Sequence, residues 1–308
     1  MLPKSVDQRC PLPSFGAGLA TFLDQAGEQV VEVLRPKRTP DRGGRKTDMI
    51  DAIRAAKDAL AAEHLIQPRV RGEREALRVL LVTRHGAVLA STAAINQLKN
   101  LIVSAPDDLR AELRKLKRPA QVRRCAQLRD RPAQCIERRM TVRALRSTAQ
   151  RIKALQAEAK ELEDEILDIV QQVAPELLAL LGVGPITAAQ ILISWSHPRR
   201  FRSEAAFAAF AGVAPIPASS GLTNRHRINR SGDRQLNRAL HTITLIRMRL
   251  DPATKTYVAR RAAEGKTSRD AQRCLKRTIC RQIFKLLERP NRKTFRNTKI
   301  SPQPLDAI

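Results

Sequence analysis

Apolar residues recur along the middle of the chain with a period of 3.5. Leu145, Ile152, Ala159, Ile166 and Val173 fall on a positions, and Thr148, Leu155, Leu162 and Ile169 on d positions. Four heptads predict a long amphipathic helix with a coiled-coil seam. The pattern alone fits an ordinary long helix packed on its own chain, an intramolecular antiparallel coil, or self-association. Upstream, residues 73–116 read as largely helical, with Arg84, His85, Asn96, Gln97 and Lys99 among apolar neighbours. Residues 117–140 read as a basic, proline-interrupted connection. Nearer the N-terminus, residues 1–13 read as unstructured and Gly18–Ala26 as a short helix stopped by Gly27. Gln29–Leu34 reads as a strand, 35–46 as a basic loop, and Thr47 as the N-cap of a helix through about Ala62. This is an α/β fragment, and one strand cannot make a sheet.

After Pro175 the pattern shortens. PELLALLGVGPITAAQIL predicts two helices joined by the tight turn Gly182-Val183-Gly184-Pro185, the pattern of a helix–hairpin–helix. Gly182 and Gly184 let a backbone approach a phosphate, and the helix beginning near Thr187 aims its N–H groups at it. A plain αα-hairpin has the same pattern. Phe207 and Phe210, three apart among small residues, are expected in the core. From Asp233 to Met248 the chain reads as a helix, capped by Ser231 or Gly232. The tail after Arg289 is basic and is expected to be mobile.

Charge changes the picture most. The 308 residues carry 57 Lys and Arg against 30 Asp and Glu, a formal net charge of +27. Residues 221–300 hold 22 of those cations and five acids. Such a concentration repels itself unless a polyanion neutralises it, and nucleic acid gains further from counterion release. One Trp, one Tyr and seven Phe leave few anchors for a membrane surface. No run is expected to reach the ~18–20 apolar residues of a membrane span, so no membrane partner is expected. Cysteines 10, 125, 135, 274 and 280 form no CxxC pair, which argues against a zinc ribbon or a disulfide scaffold. A reducing cytoplasm is the expected compartment.

The segment Gly212–Leu240 carries candidate chemistry. A loop with Pro215 and Pro217 ends in Ser219-Ser220-Gly221, and Arg225, Arg227, Arg230, Arg234 and Arg238 follow. Guanidinium groups near a hydroxyl lower its pKa and stabilise a pentavalent phosphorane, so a serine here can attack a phosphodiester. Ser-Gly pairs are also common in turns.

The blocks LLGVGPITAAQIL, FAAFAGVAPIPASSG, RINRSGDRQLNRAL and TKTYVARRAAEGKTSRDAQRCLKR resemble, in order and spacing, a family of bacterial insertion-sequence transposases. That family has a RuvC-like N-terminal DEDD nuclease domain and a catalytic-serine C-terminal domain, and is guided by a bridge RNA. The resemblance covers roughly residues 14–288. It implies Ser220 as the nucleophile, with Ser219 the neighbouring alternative and Ser231 a turn residue. It implies that Asp48 and Asp51 in GRKTDMIDA are the last two acids of the DEDD set. Placed i and i+3 at a helix start, both would lie on one side and offer oxygen ligands to Mg²⁺. Asp48 also suits a helix N-terminus on electrostatic grounds alone. DNA, a guide RNA and further copies of the chain, in the bacterial cytoplasm at the nucleoid, are the implied partners and location.

The resemblance also has departures. No Gly-x-Asp strand opens the chain, and matching SFGAG to the family places Cys10 where its Glu would be. MLPKSVDQRCPLP falls out of frame. The expectation is an N-terminally truncated copy, or a start-site or frameshift artefact, with transposition lost or impaired. The alternative is a nucleic-acid-binding remnant without chemistry. The expected class is mainly α: a truncated RuvC-like remnant over 1–68, a helical linker over 69–176 with a coil at 145–173, a C-terminal transposase domain over 177–288, and a basic tail over 289–308.

Overall fold

The computed structural model describes residues 17–28, 30–31, 48–61, 69, 71–129, 135–217, 226–227, 229 and 232–289. Among these the protein is mainly α, with twelve helices and a single two-residue strand pair. The chain divides into two units, residues 1–70 and 71–308.

In the first unit, α1 (Ala17–Gln25) stops at Gly27, whose φ of 84° lies in the left-handed region that favours glycine. Val30 and Val31 carry no regular structure, and the rest of the strand expected over 29–34 lies outside the described residues. The second helix, α2 (Asp48–Leu60), forms where the sequence placed it. Its expected cap, Thr47, is outside the described residues.

The second unit is built on two long helices, α3 (Glu73–Val103) and α6 (Ile136–Val173). They run antiparallel: Arg84 pairs with Glu163, while Arg151, twelve residues earlier on α6, reaches Gln97. The heptad seam therefore closes within the chain. Leu145, Thr148, Ile152, Ala159 and Ile166 are buried, and Leu155, Leu162, Ile169 and Val173 are half-buried. The facing stripe of α3 is Leu77, Ala87, Ser91, Ala94, Leu98 and Ile102. Its small central residues let the two backbones approach. An 18-residue window of α3 has a mean hydropathy of 1.2, long and apolar enough by composition to cross a membrane. The helix is interrupted by Arg84, His85, Asn96 and Gln97 and is not an unbroken apolar run; in this fold it is the partner of α6.

The helix expected over 73–116 breaks at Ser104–Pro106 and restarts as α4 (Asp107–Arg114). The expected connection over 117–140 instead contains α5 (Arg118–Ala126). Pro119 sits in its first turn, where its missing N–H costs no hydrogen bond. Together, α4 and α5 cap the far end of the hairpin. Leu109, Leu113, Val122, Cys125 and Leu128 close a core with Leu98, Ile102, Val142 and Leu145.

At the other end, α7 (Pro175–Leu178) leads into α8 (Pro185–Trp195), which packs on α3 and α6. Arg74 of α3 donates to the carbonyl of Ile193 at 3.1 Å. The helices α9 (Glu204–Phe210), α10 (Arg234–Leu250), α11 (Pro252–Ala263) and α12 (Ser268–Leu287) complete this region. Phe207 is fully buried and stacks on Phe284 at 5.5 Å, as expected of a core residue. Phe210 is half-buried beside Phe201. Trp195 donates to Glu288 at 2.8 Å, tying α8 to the end of α12.

Candidate nucleic-acid interface

The turn between α7 and α8 is shaped by its glycines, each for a different reason. Gly182 has φ 85°, and a Cβ there would lie 3.1 Å from the carbonyl oxygen of Ile243 and 3.3 Å from the Ile246 side chain. Its bare backbone therefore meets α10. Around Gly184 a Cβ would meet nothing within 4 Å. Thr187 closes the turn locally: its hydroxyl accepts from the Gly184 N–H and donates to the Gly184 carbonyl, both at 3.0 Å. Pro185 occupies the first helical turn of α8.

A second feature is the neck of the loop between α9 and α10. Gly212, at φ 68°, lies against Gly232 so closely that a Cβ on Gly232 would fall 2.4 Å from the Gly212 nitrogen and 2.8 Å from the Phe210 carbonyl oxygen. The Asp233 N–H donates to that same carbonyl at 2.7 Å. Asn237, one turn into α10, donates to the carbonyls of Ala211 at 2.8 Å and Gly212 at 3.3 Å. Asn229 donates to the Ala209 carbonyl at 3.0 Å. Above the neck, β1 (Ile216–Pro217) pairs antiparallel with β2 (His226–Arg227). Both ends of the segment bearing the candidate serine are thus held together at the start of α10.

The cap of α10 is Asp233, rather than the expected Ser231 or Gly232. Its carboxylate accepts from the N–H groups of Gln235 at 2.9 Å and Leu236 at 3.0 Å, and from the Ser194 hydroxyl at 2.9 Å. A carboxylate reaches two orphan donors and suits the positive end of the helix dipole. Glycine at 232 is fixed instead by the backbone contact with Gly212.

Cations surround this neck. Arg234 and Arg238 are exposed on the first two turns of α10. Lys276 of α12 donates to Asn237 at 2.9 Å. Burial, and then the charge of Arg273, hold the Lys276 ammonium below its ordinary pKa. Burial, followed by the charge of Lys276, likewise depresses the His241 imidazole. Its Nδ1 is buried without a partner. Sequence reasoning passed over Asn237, His241 and Lys276. Two of them lie in blocks that carried the resemblance, RQLNRAL and QRCLKR, and this was the available signal.

Ser219, Ser220, Arg225, Arg230 and Ser231 lie outside the described residues, and Arg227 is described only as backbone of β2. Asp48 and Asp51 stand i and i+3 in the first turn of α2. Their donor chemistry, carboxylate oxygen alone, suits a hard cation that keeps several waters. Among the described residues no three His, Cys, Asp or Glu side chains gather as a metal cluster.

Fold and surface together define a helical, strongly cationic protein with a clamped loop ahead of an arginine-bearing helix. Comparison with known proteins makes this more specific. Residues 174–259, from α7 into α11, match the model of the Transposase IS116/IS110/IS902 family. It is 33% identical over 144 residues to the insertion element IS110 uncharacterized 43.6 kDa protein of Streptomyces coelicolor, covering 46% of this chain and 36% of that protein. It is 32% identical over 113 residues to the insertion element IS900 uncharacterized 42 kDa protein of Mycobacterium paratuberculosis, covering 36% and 28%. Against a probable family 20 transposase of Pseudomonas aeruginosa it is 34% identical over 99 residues, covering 31% and 29%. The chain spans roughly a third of the length of these curated relatives.

Proposed function

We propose that the chain acts as an insertion-sequence transposase, a DNA recombinase whose nucleophile is Ser220. The observation carrying this reading is the closed neck. The Gly212–Gly232 contact and the Asn237 brace fix both ends of the serine-bearing loop beside Arg234 and Arg238. In the step proposed, the Ser220 oxygen attacks a DNA phosphorus and gives up its proton. A serine–phosphate bond forms, the bond to the DNA hydroxyl breaks, and the leaving oxygen takes a proton. The phosphodiester is conserved as phosphoserine, so rejoining by a DNA hydroxyl reverses the same chemistry. Arg225, Arg227, Arg230, Arg234 and Arg238 neutralise charge that grows on the phosphoryl oxygens. Asp48 and Asp51 would hold Mg²⁺, which supplies Lewis-acid polarisation of the phosphate. The start of α8, shaped by Gly184 and Thr187, contributes its first-turn N–H groups for backbone phosphates, while Gly182 lets this turn sit against α10. A guide RNA to choose the sequence, and further copies of the chain to complete the site, belong to the same proposal, as does action at the bacterial nucleoid.

A second reading, nucleic-acid binding without chemistry, is favoured by Cys10 standing where the resemblance calls for Glu. One experiment separates the two. The purified chain is mixed with labelled DNA of the element ends, the guide RNA and Mg²⁺, then denatured. A covalent adduct lost in Ser220→Ala and kept in Ser219→Ala supports the recombinase. Absence of any adduct, with DNA binding retained, establishes the binding remnant.

A further inference from the structure

The far end of the hairpin carries a charge that its fold does not use. Residues 107–146 contain thirteen Lys and Arg and five acids. Three of those acids are consumed by internal pairs: Asp107 with Arg110, Asp108 with Arg138, and Glu112 with Arg124. Among the described residues of this stretch, Glu137 is the one acid outside these pairs, and the rest of the exposed charge is cationic. Arg114, Lys115, Lys117, Arg118, Arg123 and Arg143 are all exposed, and none is within salt-bridge distance of a carboxylate among the described residues. Four of them fall in the run Arg114-Lys115-Leu116-Lys117-Arg118, where α4 turns into α5. Lys117 caps α5 and Arg118 opens it, with no acid in the first turn. Cations there oppose the helix dipole and one another. The core beneath is apolar and complete without them. Such a surface is stable on its own and electrostatically unfinished.

The patch is remote from the neck. About thirty residues of α6 separate Arg143 from Val173, where the chain enters the α7–α8 turn, which is roughly 45 Å of helix. At physiological salt the Debye length is about 8 Å, so the two cationic surfaces are independent footprints. Residues 107–146 also contain no Phe, Tyr or Trp. Single-stranded nucleic acid is held largely by stacking bases on such rings, and this surface has none to offer. A row of exposed guanidinium and ammonium groups on a rigid helical cap suits a regular duplex backbone.

We propose that the α4–α5 cap is a second DNA contact, one that grips the phosphate backbone of duplex DNA without reading its sequence. It shares with the function proposed above the premise that nucleic acid is the partner, and nothing of the serine chemistry. The test uses the full chain and a duplex of about 40 base pairs, with anisotropy measured across a salt series. Lys115→Gln, Lys117→Gln, Arg118→Gln and Arg123→Gln are combined in one variant. Each neutralised phosphate contributes about 0.9 to the slope of log affinity against log salt, so the slope should become shallower by roughly two to four. The loss should be equal on two unrelated sequences. A charge-conserving variant, with the two lysines made Arg and the two arginines made Lys, should keep the original slope; if it too loses slope, charge is not the cause and the proposal fails. An unchanged slope in the neutral variant overturns the proposal. So does a loss seen on duplex RNA of the same sequence and not on DNA, or a loss confined to one sequence. Ser220→Ala should leave this slope as it is, so failure of the serine chemistry appears in the adduct assay alone.

Discussion

Gly232→Ala is the sharpest single test of the clamped neck. The added methyl would sit 2.4 Å from the Gly212 nitrogen, 2.5 Å from its Cα and 2.8 Å from the Phe210 carbonyl oxygen. All three are backbone atoms, so no side chain can rotate away. Overpacking of this kind costs about 1–3 kcal/mol. Relief requires the neck to spread, which weakens the Asp233-to-Phe210 hydrogen bond at 2.7 Å and the Asn237 brace. Each such bond contributes about 0.5–1.5 kcal/mol net. Together the local opening energy should fall by about 2–4 kcal/mol. Hydrogen exchange at the Asp233 amide reads that opening directly and should accelerate by roughly 30- to 1,000-fold, at 1.4 kcal/mol per decade. The control is Gly184→Ala. There a Cβ meets nothing within 4 Å and φ is −101°, so only a modest capping preference of about 1 kcal/mol or less is lost. Wild-type protection of the Asp233 amide in Gly232→Ala would refute the idea that this contact closes the loop.

The remaining predictions concern the hairpin and the helix that leaves the neck. Ile152 is fully buried in the α3–α6 seam, so Ile152→Ala should cost about 2–5 kcal/mol in a urea titration. A loss below 1 kcal/mol would argue that the seam is not packed as described. The His241 pKa is held down by burial and by Lys276, so between its folded value and the ordinary ~6.5 the unfolded chain binds the extra proton. Stability should therefore fall as pH drops below about 6.5, and His241→Asn should flatten that part of the profile. Identical pH profiles for wild type and variant would remove His241 from the account.

Periodicity and charge were legible in the linear order of residues. The heptads at 145–173 gave a long helix, because burying one stripe every 3.5 residues leaves few other choices. Asp48 and Asp51 fall in the first turn of α2, at the helix start that the reading of Thr47 as a cap implied. The excess of arginine set the expectation of a polyanionic partner, and the blocks from Leu180 to Arg277 set the resemblance that residues 174–259 then matched. Tertiary structure decided the rest. Which helix fills the α6 seam depended on α3 folding back, and a heptad pattern states a stripe without naming its partner. That α5 forms inside a basic stretch with two prolines depended on a core that Val122 and Cys125 complete. The cap of α10 moved to Asp233, and the reason for Gly232 became visible only once Gly212, twenty residues earlier, lay against it. Local sequence settles what a segment can do by itself. Contacts between segments far apart in the chain carry no local signature, because each half of such a contact is an ordinary residue until the other arrives.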